Sequence, residues 1–297
     1  MKVDLHCHTN VSDCSLSFEE VVELAVQASV THLAITNHDT TLELAEMMNI
    51  GKAKGVEIIP GIEISAYDFL RNRRVHVLGY YIQPGHPAID RLCSPLIEQR
   101  HQASEKMVQA LVGEGYSITW EQVMEYAKGG TGVYKQHIMH ALIDEGYTAT
   151  IYGDLYKKLF SRGLNGEKAG IAYIPLEYVE AKAAIQAIRQ AGGVPVLAHP
   201  GQYGNFEAVP ELVGCGLEGI EVWHPLHDEA AERQAKQLAL QYDLIMTGGT
   251  DFHGLYGEKE VTLGEKSPGI AAVQALQARK QAIADQPITN RPEVSEA

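Results

Sequence analysis

Short apolar runs alternate with amphipathic stretches along most of this chain. Runs rich in Val, Ile and Leu around Val3, Leu33, Val56, Val75, Val194, Gly219 and Leu244 read as strands. Between them, residues 18–29, 41–54, 176–191, 208–213, 228–242 and 269–284 carry the spacing of helices that bury one face. Ser17 is placed to cap the first, with Glu19 and Glu20 in the opening turn where the helix dipole favours negative charge, and Gly55 ends the second. Strand followed by helix, repeated, is the pattern of an α/β fold, and about seven strands is one short of the usual eight-stranded barrel.

The alternation stops between Gln83 and Tyr173. There the chain reads as consecutive helices over residues 87–113, 119–128, 134–144 and 153–161. The organisation expected is therefore a barrel built from residues 1–82 and 174–285, a helical insertion over 83–173 that caps its mouth, and a flexible polar tail over 286–297.

What the strands deliver is chemistry. Six of the thirteen histidines lie on or just past these apolar runs, each with an acidic residue close by or on the next run. The first run leads to His6 and His8, whose period-two spacing turns both imidazoles to one side of an extended segment. Asp13 follows in a loop; later runs bring His38 with Asp39, then Glu63, His76, His199, and the pair Asp251 and His253. One such histidine is ordinarily a hydrogen-bonded scaffold residue. Nine potential nitrogen and oxygen ligands (His6, His8, Asp13, His38, Glu63, His76, His199, Asp251 and His253) exceed what one four- to six-coordinate ion uses, so two or three divalent ions are implied. Zn, Mn and Fe suit this donor set, which contains no CxxC pair.

Composition narrows the partners. The net charge of −14 repels a long polyanion from most of the surface but leaves a small phosphorylated substrate or short oligonucleotide acceptable. No run approaches the roughly 20 apolar residues that span a bilayer, and no secretory signal is visible, so a cytoplasmic protein without a membrane is expected. Cys7, Cys14, Cys93 and Cys215 lack framework spacing; they read as pocket fillers, with no disulfide partner. Within the insertion, Arg100, Lys135 and His137 are candidates to grip phosphate, the last two at a helix start suited to an anion.

The motifs DLHCHTNVSDCS (4–15), ITNHDT (35–40), GIEIS (61–65), VHVLGY (75–80), AHPG (198–201), GIEVWHP (219–225) and TGGTDFHG (247–254) resemble, in order and over nearly the whole chain, the polymerase and histidinol phosphatase family. The insertion looks like that of the small stand-alone phosphoesterases of that family. The resemblance implies a distorted seven-stranded, TIM-like β/α barrel with up to three metals. Carried over by position, it implies that His6, His8, Glu63 and Asp251 hold one metal, that Glu63 bridges to a second held by His76 and His199, and that Asp13, His38 and His253 hold a third. Two positions depart from the usual pattern: Asn37 stands where aspartate is usual, and Cys14 where glycine is.

A hydroxide bridging two metals and attacking phosphorus is then the expected chemistry, with Glu63, Asp251, His199 and His253 as its catalytic residues and Asp39 or His224 as outer contacts. Nucleoside 3′,5′-bisphosphates or the 5′ ends of short RNAs lead as substrates. A cyclic sugar phosphate is the runner-up, then histidinol phosphate. The competing classes are a metal-dependent amidohydrolase, which commonly uses a carboxylated lysine where this chain has Glu63, and a non-catalytic module, which a complete ligand set disfavours.

Overall fold

The computed structural model describes residues 1–163 and 168–285, so the expected tail over 286–297 lies outside the described residues. The first part of the sheet region runs β1 (Lys2–Asp4), α1 (Phe18–Gln27), β2 (Val30–Ile35), α2 (Leu44–Ala53), β3 (Glu57–Asp68) and β4 (Arg73–Tyr80). Four helices follow: α3 (Pro87–Gly113), α4 (Trp120–Tyr126), α5 (Lys135–Asp144) and α6 (Asp154–Phe160). The chain then returns through β5 (Val179–Glu180), α7 (Ala181–Gln190), β6 (Val194–Leu197), α8 (Pro200–Tyr203), α9 (Val209–Gly214), β7 (Gly219–Trp223), α10 (Glu229–Tyr242), β8 (Ile245–Gly248) and α11 (Ile270–Ala284).

Local chemistry explains the helix boundaries. Ser17 Oγ accepts the Glu20 N–H at 3.3 Å while the Glu20 carboxylate accepts the Ser17 N–H at 2.8 Å, a reciprocal cap at the start of α1. Asp228 caps α10 by accepting the Ala231 N–H at 2.8 Å. α7 starts at Ala181, later than its periodicity suggests, because Val179 and Glu180 pair with Ala66 and Tyr67 of β3 and the Glu180 carboxylate then caps the helix. This two-residue strand carries no sequence signal of its own.

The sheet corrects the expected barrel. It has eight strands in the order β1-β2-β3-β4-β6-β7-β8, with β5 on β3, and it is mixed, because β4 is antiparallel to both neighbours. Only residues 69–72 separate β3 from β4, too few for a parallel crossover, which takes a dozen or more. Asp68 Oδ1 accepts the Arg71 N–H at 3.0 Å and Asn72 turns back at φ 54°, closing a hairpin. The sheet is not closed: β1 and β8 share no ladder, although Leu5 N–H reaches Gly248 O at 3.1 Å and an isolated bridge joins Cys7 to Phe252.

Alternation along the strands separates two apolar layers. Val75 and Val77 of β4 pack outward with Leu33, Ile35 and the inner faces of α1, α2 and α7, whereas Leu78 and Tyr80 point inward with Val3, Leu5, Val194 and Val196 against Ala272 and Leu276 of α11. Each fully buried aliphatic or aromatic side chain is worth about 1.5–3 kcal/mol, so a one-residue slip of β4 would lose several such terms at once. Helices α3 to α6 surround a third cluster that includes Met107, Leu111, Ile138, Leu142 and Leu159. Tyr256, from the segment after β8, is buried in that same cluster and ties the insertion to the sheet.

Candidate metal centre

The site grows from the face of β4 that carries Leu78. His76 lies on that face directly opposite Ser65 of β3, and Glu63, two residues along β3, is its diagonal neighbour. Both residues therefore sit within the paired strands of a hairpin.

Glu63 is the centre of the arrangement. Its Oε1 lies 2.7 Å from His76 Nδ1 and 2.8 Å from His199 Nε2; its Oε2 lies 3.2 Å from His6 Nε2, 3.2 Å from His8 Nε2 and 3.4 Å from His38 Nδ1. Burial pushes this carboxyl up, but the imidazoles of His38, His6 and His76 outweigh it and hold the group well below the usual carboxylate range. Asp251 Oδ1 lies 3.2 Å from the Nε2 atoms of both His6 and His8. On the other side, Asp13 Oδ1 is 3.3 Å from His253 Nε2 and Asp13 Oδ2 is 3.8 Å from His38 Nε2.

All nine expected ligands thus converge. Ligand atoms of His6, His8, Glu63 and Asp251 lie within 4.8 Å of one another, as do those of His8, Asp13, His38 and His253, and those of His38, Glu63 and His76. The donor set fits divalent ions. Among the described residues, the buried atoms His8 Nε2, Asp13 Oδ1, His38 Nδ1 and Asp251 Oδ1 make no hydrogen bond although polar atoms lie within 3.2–3.4 Å of each, a state native interiors rarely tolerate. Convergent lone pairs of imidazole and carboxylate need positive charge between them. Without a cation the histidines supply it unevenly: despite burial, Asp13 and Asp251 push His253 up to about 10, while burial pulls His38 down to about 4.

The backbone is bent to present these groups. His199 (φ 23°), Asp251 (φ 50°) and Asp39 (φ 58°) occupy left-handed or near-left-handed conformations that cost non-glycine residues about 1–3 kcal/mol each. For His199, the following Pro200 also disfavours the ordinary helical conformation.

Of the residues that support the site, Glu221, Asp4 and Gln136 were not evident from sequence, whereas Asn37 was. Glu221 of β7 is fully buried; it accepts the His199 N–H at 2.8 Å and lies 3.0 Å from His6 Nδ1, so that with Nδ1 donating, His6 Nε2 keeps its lone pair for the centre. Its signal was a lone acid between Ile220 and Val222 in a buried strand. Asp4 gave the same kind of signal, and it accepts from His6 N–H (3.2 Å), Thr250 N–H (3.0 Å) and Oγ1–H (2.6 Å), and Gly264 N–H (2.7 Å). Asn37, where the resembling family has aspartate, accepts from Thr9 N–H at 2.8 Å and Ser12 Oγ–H at 3.1 Å, pinning the loop between His8 and Asp13. Gln136 of α5 donates to Asp13 Oδ2 at 3.0 Å.

The other expected contacts separate. His224 stays at the site, with Nε2 3.3 Å from Asp251 Oδ2. Arg100 and Asp39 pair with each other: Arg100 Nη2 donates to Asp39 Oδ2 at 2.6 Å, and the second Asp39 oxygen accepts the Ser65 N–H at 2.7 Å, while Arg100 also lines the space beside His38 and His76. His137 does not line the mouth. It is buried edge-on between Tyr134 and Tyr256, and its Nδ1 accepts the Tyr134 N–H at 3.0 Å, so the start of α5 is capped by this imidazole instead of by an anion. Lys135 does face open space beside the centre. Burial and the Arg74 charge pull its ammonium down to about 8.

The mouth itself is a cavity of about 180 Å³ whose walls join sheet residues to Gln136, Tyr152 and Tyr156 of the helical region. The four cysteines are unpaired; Cys14 is pushed up to about 12 by burial, which leaves no thiolate to act as a nucleophile there. Among the described residues no helix is long and apolar enough to cross a membrane.

Comparison with known proteins agrees with this geometry. The family model described as PHP domain matches residues 4–191. The phosphoribosyl 1,2-cyclic phosphate 1,2-diphosphodiesterase of Eggerthella lenta is 43% identical over 86% of this chain and 95% of its own. The 5′-3′ exoribonuclease Rnm of Escherichia coli is 33% identical over 84% of each. Among solved structures, a protein named as a metal-dependent phosphoesterase from Bifidobacterium adolescentis superposes with a TM-score of 0.82 at 28% identity, covering 93% of this chain and 96% of that one.

Proposed function

Because this chain belongs to the PHP domain family and is a metal-dependent phosphoesterase, we propose that its convergent acids and imidazoles hold two or three divalent cations and that its substrate is a small phosphate ester built on ribose. His6, His8, Glu63 and Asp251 hold the first cation, Glu63, His76 and His199 the second, and Asp13, His38 and His253 the third. The observation that carries this assignment is the division of Glu63: one oxygen faces His76 and His199, the other His6, His8 and His38.

Divalent Mn, Zn or Fe bound there would acidify a water and neutralise charge developing on phosphoryl oxygens. The chain's own residues do the rest. Glu221 and Asp4 aim His6 and the Asp251 segment, Asn37 shapes the loop that presents Asp13, and His224 steadies Asp251. Helices α3 to α6 act as a cap over the mouth, with Gln136, Tyr152 and Tyr156 narrowing the space left to solvent. Sites for several cations suit a phosphoryl group, which offers several oxygens, better than an amide, and Glu63 stands where an amidohydrolase commonly carries a modified lysine.

The leading substrates are a nucleoside 3′,5′-bisphosphate or the 5′ end of a short RNA. A second reading, a phosphoribosyl cyclic phosphate, is favoured by the 43% identity to the Eggerthella diphosphodiesterase. Metal-loaded protein assayed against both, against adenosine 5′-monophosphate and histidinol phosphate, and against a simple amide ranks them by kcat/KM. Turnover of the amide alone overturns the phosphoesterase chemistry; preference for the cyclic substrate selects the second reading.

A further inference from the structure

Beside the metal mouth lies a larger cavity of about 600 Å³ that the chemistry above does not use. Arg74 lines both, and Lys135 lines this cavity and the passage between them, so the spaces adjoin. Its walls are aromatic. Tyr67 and Tyr178 stack with centroids 5.6 Å apart and planes 19° off parallel, and Phe69 lies 5.1 Å from Tyr67. Lys135 Nζ sits 5.2 Å from the Phe160 centroid, and the Arg74 guanidinium 5.8 Å from that of Tyr178.

Charge here runs against the rest of the molecule. In a chain of net charge −14, Arg74, Lys135 and Arg162 converge on one cavity, and among the described residues none is paired with a carboxylate. Among the described residues the one acid on the wall, Glu177, is exposed. Unpaired cations facing a part-enclosed space favour an anion, and flat aromatic faces favour a planar ring, which stacks without needing a fixed pattern of hydrogen bonds. A volume of this size holds a nucleoside.

Resting on the phosphoesterase reading, we infer that this cavity is a subsite for the nucleobase of a nucleotide substrate, with Arg74, which lines both cavities, reaching the phosphate end of the ligand and Lys135 lining the passage from it to the base. The test is calorimetric titration of the metal-loaded protein with phosphonate analogues of adenosine 5′-monophosphate and of ribose 5-phosphate, whose C–P bond resists hydrolysis. The adenosine analogue is expected to bind about tenfold more tightly. Tyr178→Ala should remove that advantage while leaving the ribose analogue unchanged, Tyr178→Phe should keep it, and Arg74→Ala should weaken both ligands. Equal binding of the two analogues by the unaltered protein, or an advantage that survives Tyr178→Ala, overturns the subsite. If phosphate esters are hydrolysed without any preference for the base, the subsite fails and the phosphoesterase reading stands; if no phosphate ester is hydrolysed while a Tyr178-dependent preference persists, the reverse holds.

Discussion

Glu221 Oε1 lies 3.0 Å from His6 Nδ1, and both side chains are completely buried. The carboxylate thus holds one ring nitrogen of a proposed ligand and leaves the other for the centre. Glu221 is held below the usual carboxylate range: burial raises it, and His6 and the neighbouring imidazoles more than compensate.

Glu221→Gln removes this charge without changing size. Such outer contacts typically matter by about 10- to 100-fold in metal affinity or activity. Metal titration of the variant should show a weakened site with the others retained; unchanged affinity for every equivalent removes Glu221 from the centre's support.

Glu63→Gln should do more, because two of the proposed sites share this side chain. Loss of two equivalents together and a fall in kcat of about a thousandfold or more are expected, whereas Asp13→Asn should lose one. Elemental analysis and turnover of both variants under identical loading make the comparison. Near-normal turnover in Glu63→Gln defeats the bridging assignment.

Metal removal should be visible without any substrate. Protein prepared in Mn- or Zn-containing medium should carry more than one equivalent per chain, and stripping it with a chelator should lower Tm, since a ligand at a hundred times its Kd stabilises by about 2.7 kcal/mol. A content capped at one equivalent contradicts the multinuclear centre.

Arg100 and Lys135 should behave differently on truncation. Arg100→Ala leaves Asp39 buried without its partner, an arrangement that costs about 3–5 kcal/mol, so denaturant unfolding should show a marked loss of stability. Lys135→Ala should unfold normally but raise KM. A stable Arg100→Ala with altered KM alone would return Arg100 to substrate binding.

Lys135 also sets a pH dependence. Its ammonium, pulled down to about 8, is charged below that pH and neutral above it, so kcat/KM for an anionic substrate should decline as pH rises through about 8. Lys135→Arg keeps its charge and should lose that inflection, which pH profiles of the two proteins will reveal.

Much of this molecule was legible in its residue order because the information is local. The apolar runs of β2, β4, β6 and β7, the cap at Ser17, the helical stretch from Pro87 to Phe160 and the nine acid and imidazole candidates all follow from spacing over a few residues. Their convergence was implied by number: nine such groups at strand ends and turns are hard to rationalise singly.

Other features depended on contacts that spacing does not encode. The direction of β4 follows from a hairpin turn closed by Asp68 and Asn72, and the two-residue β5 exists only because β3 offers it an edge. Arg100 reads as a free cation until α3 is packed beside Asp39, 61 positions away, and His137 reads as an anion-binding group until its ring is turned onto its own helix start. Glu221 is 215 positions from His6. Period and capping reach across one or two turns of chain, so they decide which face a side chain takes; which partner meets it there is decided by packing of the whole sheet, where burial makes every unpaired charge costly and selects the pairings that satisfy them.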